Sequence, residues 1–443
     1  MNHNPKLIRH RALNTLALLF VALLGTSLPQ VASAQYLTED FESAFTGTPA
    51  APAGWTQTRV QLLGTTTTSA PNVDGTKEWF RNTYSGAWAV IAFTSSNDPI
   101  GAQSGTGALC IEDSYFGSTT TTLGSRRMES PAMNLSTSTS PYVRFYYSYP
   151  STASNANFRV MASNDNGATW KSIMAISGNG AGTGSAWRRI SVLIPAAYRV
   201  ANAKIGFEMT NTWGTMNLFI DNLSVEEFTP ATITSAATGN WNAGTTWVGG
   251  VVPDANSHVV IAAGHVVSAN SLAMRCQNLT VDGTLQYSTT LTTDLLQILG
   301  DATVNATGIL NAFSGATGKR MYFGGSLSNA GTVNFSIGAG NLVWLGGAPA
   351  TISGAGSFST FISNIWHLNS GGVTYNTPIQ VRNTVGLYDG PVNPNGNLTI
   401  GNAAVLTQTI ERGRGSLTSA PIFGAGVNRS NAYIDGAANF WPC

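Results

Sequence analysis

Bond-making and bond-breaking at neutral pH call for carboxylates, histidines or thiols held close together, and this chain offers few such sets. The stretch SNDNGATW, 163–170, sets Asp165 between Ser163 and Thr169 with Trp170 beside them, so its carboxylate is the first group to weigh for such chemistry. One copy does not carry it. Asn164, Asp165, Asn166 and Gly167 separate two β-rich runs and supply the side-chain hydrogen bonds and positive φ of a tight hairpin, so Asp165 reads as turn-forming. The glycine-rich GNGAGTG, 178–184, also joins two strand-like runs, whereas a phosphate cradle needs a helix terminus behind it. Beyond the first 34 residues the histidines are His258, His265 and His367, with no HExxH spacing, and no GxSxG nucleophile elbow occurs. His258 and His265 are seven residues apart, so in one extended run they point to opposite faces, read as solvent-facing, and share no zinc.

One carboxylate stands out for its neighbours. In NLFIDNLSV, 217–225, strict alternation puts Phe219, Asp221, Leu223 and Val225 on one face, so a charge lies in a row otherwise fit for a core and needs compensation. Trp79, Trp88, Trp187 and Trp213 have faces that a sugar ring could stack on, although large aromatics in β-proteins more often pack inside. Trp213, flanked by turn residues in NTWGTMN, is the ligand-binding candidate among them. The arginine pairs of SRRME and WRRIS are expected to send one side chain outward each by strand alternation.

The elements that must position these groups are strands. YVRFYYSY (142–149), FRVMAS (158–163), WKSIMAIS (170–177), WRRISVLIP (187–195), KIGFEMT (204–210) and NLFIDNLSV are β-branched or aromatic runs parted by turn residues, and no amphipathic helix is evident. The chain begins with a basic segment carrying Lys6, Arg9 and Arg11, then the apolar LALLFVALL, then Ala32-Ser33-Ala34, so 1–34 reads as a secretory signal peptide. That segment takes three of the 22 basic residues and none of the 21 acidic ones, leaving 19 against 21, a balance unsuited to a nucleic-acid backbone. No later segment is apolar for long enough to span a bilayer. Cys110, Cys276 and Cys443 are too few and too scattered for a disulfide framework, though one bridge stays open; Cys110 in GALCIED reads as a core-facing strand residue.

In order along 35–229, EDFES, PAGW (52–55), ESPAMNLS (129–136), VRFYYSY, SNDNGATW, AWRRISVLIP and FIDNLSV resemble the MAM-like jelly rolls of bacterial surface proteins, including cleaved-adhesin and "choice-of-anchor" modules. The resemblance implies a non-catalytic β-sandwich in which an early Glu and a late Asp hold a structural Ca2+; the matching positions are Glu42 and Asp221. SNDNGATW by itself is similar to the Asp-box of sialidase propellers, but a propeller repeats its motif from blade to blade.

Past residue 230 the rhythm changes. LTVDGTLQY (279–287), VNATGILNAF (304–313), LSNAGTVNF (327–335) and ISGAGSF (352–358) carry glycines at 283, 308, 331 and 356, spaced 25, 23 and 25 residues. LTIGNAAVLT (398–407) puts Ala404 two further periods on, with the coil between poorly marked. Short strands at this period fit a right-handed parallel β-helix over 230–443, its glycines in positive-φ corners and its asparagines bonding along the stack. With no cap in sight after the last coil, the repeats look incomplete and the reading frame truncated. GNWNAGTTWVGGVVPDANSHVVIAAGHVV, 239–267, resembles the start of β-helical regions in secreted Bacteroidetes adhesins, which commonly end in a type IX secretion sorting domain.

Polysaccharide lyases and hydrolases also use β-helices, and they need converging carboxylates. From Ala302 to Tyr388 there is no Asp or Glu at all, and Asp301 and Asp389 are too far apart in sequence to share a coil. The expectation is therefore a secreted or bacterial cell-surface protein of all-β class, a jelly roll followed by a β-helix, that binds an extracellular glycan or a host or matrix protein without catalysis. The alternative is a polysaccharide-active enzyme whose jelly roll is a carbohydrate-binding module.

Overall fold

The computed structural model describes residues 34–61, 78–83, 99, 101–112, 124–148, 157–177, 186–211, 217–271, 274–287, 295–311, 320–335, 341–359, 361–401, 409–412, 415–424 and 433–435. The signal segment 1–33, the GNGAGTG loop, Trp88, Trp213, Ala404 and Cys443 lie outside them. Among the described residues there is no α-helix, and no helix is long and apolar enough to cross a membrane.

Among the described residues the first half is a sandwich of eleven strands: β1 (Gln35–Glu39), β2 (Thr56–Gln61), β3 (Phe80–Thr83), β4 (Gly107–Glu112), β5 (Gly124–Glu129), β6 (Pro141–Ser148), β7 (Asn157–Ser163), β8 (Lys171–Ser177), β9 (Arg188–Leu193), β10 (Lys204–Asn211) and β11 (Asn217–Glu227). One antiparallel sheet runs β3-β4-β11-β6-β9 with β1 also on β11, the other β2-β5-β10-β7-β8. The six runs picked out by β-propensity became β6 to β11. Between the sheets, Phe145 of β6 meets Phe158 of β7 and Phe207 of β10, the latter edge-on at 5.2 Å between ring centroids. The SNDNGATW stretch joins β7 to β8, with Asn166 and Gly167 at φ 58° and 93°. Cys110 is buried on the outer side of its sheet, with Phe80, Trp187 and Phe219. Cys276 is a free, buried thiol.

From Ala231 every paired strand is parallel to its neighbour. Three sheets wrap about seven turns of a solenoid. The first face runs in nine strands from Ala231–Thr234 to Ser416–Leu417. The second face has six among the described residues, from Gly239–Asn240 to Ser357–Phe358. The third begins at Met274–Cys276 and includes Asn341–Gly346, Ile362–Asn369 and Ile379–Asp389. Each repeating phrase proves to be two strands around one corner: LTVDGTLQY is Leu279–Val281 on the first face and Thr284–Tyr287 on the second. The stack is in register, so Leu279 lies beside Ala302 and Ala302 beside Leu327.

Two expectations about the repeats need correction. Gly283, Gly308, Gly331 and Gly356 do not have positive φ. A Cβ on them would lie 2.3, 2.0, 2.3 and 2.5 Å from a carbonyl oxygen of the preceding coil, so glycine is demanded there by how closely the coils approach. LTIGNAAVLT does not continue the series either, because Leu398–Ile400 belongs to the third face, beside Ile379–Val381. The second face ends at Ser357–Phe358, and the next coil passes from Val373–Tyr375 straight to Ile379–Asp389, which is why its sequence lacks the phrase.

His367 sits wholly inside the solenoid. It continues an in-register stack with Phe323 and Trp344, whose rings lie 4.8 Å apart, while Trp344 and His367 lie 6.5 Å apart. Its Nδ1 is 2.9 Å from Gly386 O and its Nε2 2.7 Å from Tyr375 Oη, partners that suit a neutral ring donating at Nδ1 and accepting at Nε2. Burial pushes its pKa down to about 4 despite the Gly386 carbonyl.

The sandwich and the solenoid form one compact unit from Ala34 onward. The outward row of the third face is Arg275, Gln297, Tyr322, Val343 and Trp366, in register coil by coil. Tyr322, Val343, Leu345 and Leu368 belong to the hydrophobic core of the sandwich, not to that of the solenoid. They close the flank where both sandwich sheets end, at β8 and β9. Ser370 Oγ donates to Ser172 O of β8 at 2.7 Å, and Gln277 Nε2 to Ser191 O of β9, so solenoid side chains satisfy edge-strand carbonyls.

Leu345→Ala, on the outer side of a solenoid strand, should destabilise the whole chain by about 2–5 kcal/mol in denaturant titration, the cost of a core truncation and not of a surface one. His367 supplies a pH test. Its folded value lies below the ordinary 6.5, so between the two the unfolded chain binds the proton first and stability falls as pH falls. From about pH 8 to about pH 5 the wild type should lose roughly 2 kcal/mol more than His367→Gln.

Candidate functional site

The structure brings Glu42 and Asp221 to one place by a change of strand partner. One edge of β11 is covered along its length by β6, while the other edge pairs with β4 as far as Ile220 and with β1 from Leu223. At the exchange the register slips between Asp221 and Ser224, and Asn222 takes a φ of 48°. That bulge breaks the alternation expected from the sequence. Leu218, Ile220, Leu223 and Val225 face the main core, whereas Phe219 and Asp221 face the other side, Phe219 among the Cys110 cluster.

Asp221 is nevertheless fully buried, beneath the segment that leads into β4. Its Oδ2 accepts the backbone N–H groups of Gln103 (2.9 Å) and Ser104 (3.2 Å), and its Oδ1 that of Asn222 (2.7 Å). Glu42 holds Thr106 and Gly107 of the same segment: Oε1 accepts the N–H of each, both at 2.9 Å, and Oε2 accepts the Thr106 hydroxyl at 3.0 Å. Arg81 Nη2 stands 3.7 Å from Glu42 Oε2. Burial pushes the Asp221 carboxyl up to about 6 against the pull of its three N–H donors, and the nearby Glu42 charge adds to the rise. For Glu42, partial burial works upward but is outweighed by the Gly107 and Thr106 donors and Arg81, so it sits below its ordinary value.

A hard divalent cation fits the donor chemistry of this junction. Among the described residues Asp221 is a buried carboxylate with no cationic side chain on it, and its Oδ1 and Glu42 Oε2 each accept one hydrogen bond. Gln103 Oε1 accepts from Asn222 Nδ2, and Asn222 Oδ1 accepts from the Ser104 hydroxyl at 3.1 Å. Among the described residues no group of three or more His, Cys, Asp or Glu gathers anywhere, so the carboxylates here number two.

The other sequence candidates are dispersed. Asp165 is tied into its turn, accepting from the Thr169 hydroxyl (2.5 Å), the Thr169 N–H (2.8 Å) and the Ser163 hydroxyl (2.7 Å). Those bonds, Thr169 first, hold its carboxyl down to about 2. His258 lies on one strand and His265 in the turn after it, with Nδ1 2.9 Å from Ser235 Oγ, so the run does not stay extended. Trp79 is core, and Trp187 donates to Gly101 O at 2.9 Å with its ring edge-on to Phe219, an anchor for the Asp221 segment. Trp213 falls outside the described residues.

Sequence reasoning missed the segment 103–107 itself, whose one visible signal was the pair of glycines in SGTGA. It also missed a buried cluster on the outer face of the second sheet. Arg127 of the SRRME pair is not a solvated side chain: it bonds Glu129 (3.0 Å) and Glu208 (3.1 Å) and lies 4.4 Å under the Trp170 ring.

No family model matches the chain, and no curated protein does. Among solved structures it is similar to the K1 cleaved adhesin domain of Lys-gingipain from Porphyromonas gingivalis W83, at 18% identity over 43% of this chain and 98% of that one, with a TM-score of 0.26. It is similar to TmCBM61 in complex with β-1,4-galactotriose at 14% identity over 28% and 72% of the two chains, TM-score 0.19. The Agl-KA catalytic domain shares 12% identity over 90% and 99%, TM-score 0.21. The fold described above is carried by the strand order of this chain and not by these likenesses.

Proposed function

We propose that the chain is a secreted or cell-surface adhesion or recognition protein that binds an extracellular glycan or a host or matrix protein without turning it over. The observation that carries this reading is the spacing of the acids from Asp282 to Asp389 among the described residues of the solenoid. Glycosidic cleavage uses two carboxyl groups within about 10 Å of each other. Asp301 and Asp389 occupy the same corner, between third and first faces, but the first-face strands that follow them, Ala302–Val304 and Pro391–Asn393, are four rungs apart. At ~4.8 Å per rung that is roughly 19 Å. Asp282, near the next corner, already accepts the Asn305 amide at 2.6 Å, and Asp389 accepts the N–H of Gly390 at 2.9 Å.

In this reading a Ca2+ held by Glu42 and Asp221 is structural: it neutralises a buried carboxylate and ties the start of the sandwich to its last strand. Purified protein incubated with a panel of polysaccharides should retain some of them while releasing no new reducing ends; release would overturn the non-catalytic reading. Chelation near pH 7.5 should lower the melting temperature of the full chain, and Glu42→Gln should abolish the calcium response. An unchanged wild-type transition removes the metal from the account.

A further inference from the structure

Where the solenoid corner runs beside the sandwich flank, a cleft of about 330 Å³ remains. Its sandwich wall is apolar, with Ile173, Val192, Leu193 and Pro195, and Leu193 is 40% exposed. The opposite wall is a ladder climbing the corner between the third and first faces. Asn278 Oδ1 accepts the N–H of Asp301 (2.9 Å), Asp301 Oδ1 accepts that of Ser326 (2.7 Å), and Ser326 Oγ accepts that of Thr351 (3.0 Å), one residue per coil. The glycines beside the ladder keep it packed: a Cβ on Gly300 would lie 2.2 Å from Asn278 Oδ1, and one on Gly325 2.3 Å from Asp301 Oδ1.

The ladder uses one polar atom of each side chain, and all three residues line the cleft. What remains is an amide donor at Asn278 Nδ2, a carboxylate acceptor at Asp301 Oδ2 and a hydroxyl donor at Ser326, alternating at the rung spacing of ~4.8 Å. Asp301 is the one charged residue on the lining, so anions are repelled and nothing there pairs with a phosphate, sulfate or uronate. A surface of spaced donors and acceptors facing an apolar wall matches a molecule with apolar faces and hydroxylated edges, repeated along a chain.

We propose that this cleft is the binding site for a neutral glycan chain, its hydroxyls on Asn278, Asp301 and Ser326 and its ring faces on the Leu193 wall. The assignment rests on the recognition function proposed above and names its ligand class and place. Neutral and acidic oligosaccharides are tested by calorimetry on the full chain and on two variants. Leu193→Arg fills the cleft from an exposed position. Asp301→Asn keeps an oxygen for the Ser326 N–H but puts a donor where the acceptor stood.

The expected result is binding of one or more neutral oligosaccharides, weakened roughly tenfold or more by each substitution with melting temperatures unchanged. Full affinity in both variants would place the site elsewhere and overturn the cleft while leaving glycan recognition standing. A wild type that prefers acidic glycans would overturn the neutral assignment, and one that binds no glycan overturns the assignment together with the glycan arm of the proposed function. Should Leu193→Arg fail to fold, Asp301→Asn decides alone.

Discussion

In-register parallel stacking is the constraint from which the rest follows. When coils pair residue for residue, a side chain on the outer surface of one coil lies directly over its counterpart on the next, so outward residues form continuous rows. On the third face that row passes through Tyr322, Val343 and Trp366, with Leu345 beside Leu368 in the next. A contiguous apolar strip of this kind is not stable in water, and the sandwich covers it. The sandwich has the complementary need, because β8 and β9 end its two sheets on the same flank and would otherwise expose unpaired backbone. One contact answers both, and for that reason the two halves share a core instead of hanging from a linker.

The same interface makes the cleft. Sandwich and solenoid touch through bulky side chains on the third face and through Gln277 and Ser370 at its rim, but the corner above them is built of glycines and short polar residues. There the surfaces cannot close, and what separates them is lined by hydrocarbon on one side and by half-used hydrogen-bonding groups on the other. The corner ladder that holds the coils in register thereby doubles as a polar surface.

The junction at Asp221 shows how much a single bulge decides. Without it, the carboxylate would project between the sheets among phenylalanines, at a prohibitive desolvation cost. Slipping the register by way of Asn222 turns Asp221 outward under the segment 103–107, where backbone N–H groups meet it and Glu42 approaches from the start of the chain. Two carboxylates then share one short segment, and the price is a raised Asp221 pKa that a cation would relieve.

Local pattern was enough for the strands and for the change of architecture near residue 230, since β-branched alternation and a 23- to 25-residue period are properties of neighbouring residues. Pattern also marked Glu42 and Asp221 as partners, on the strength of a resemblance, and Asp165 as a turn residue. It misplaced the face of Asp221, because alternation holds only while the register does and a bulge is set by which strands meet β11. It gave the solenoid glycines the wrong reason, since coil-to-coil approach is invisible in one coil. It had no means of seeing that Tyr322, Val343, Leu345 and Leu368 belong to the core that begins at Phe41. The sequence by itself determined which segments become strands and how they repeat, because those are short-range energies; only the tertiary structure decided which outward rows are covered, which charges are buried and where a cleft stays open, because those depend on surfaces distant in the chain.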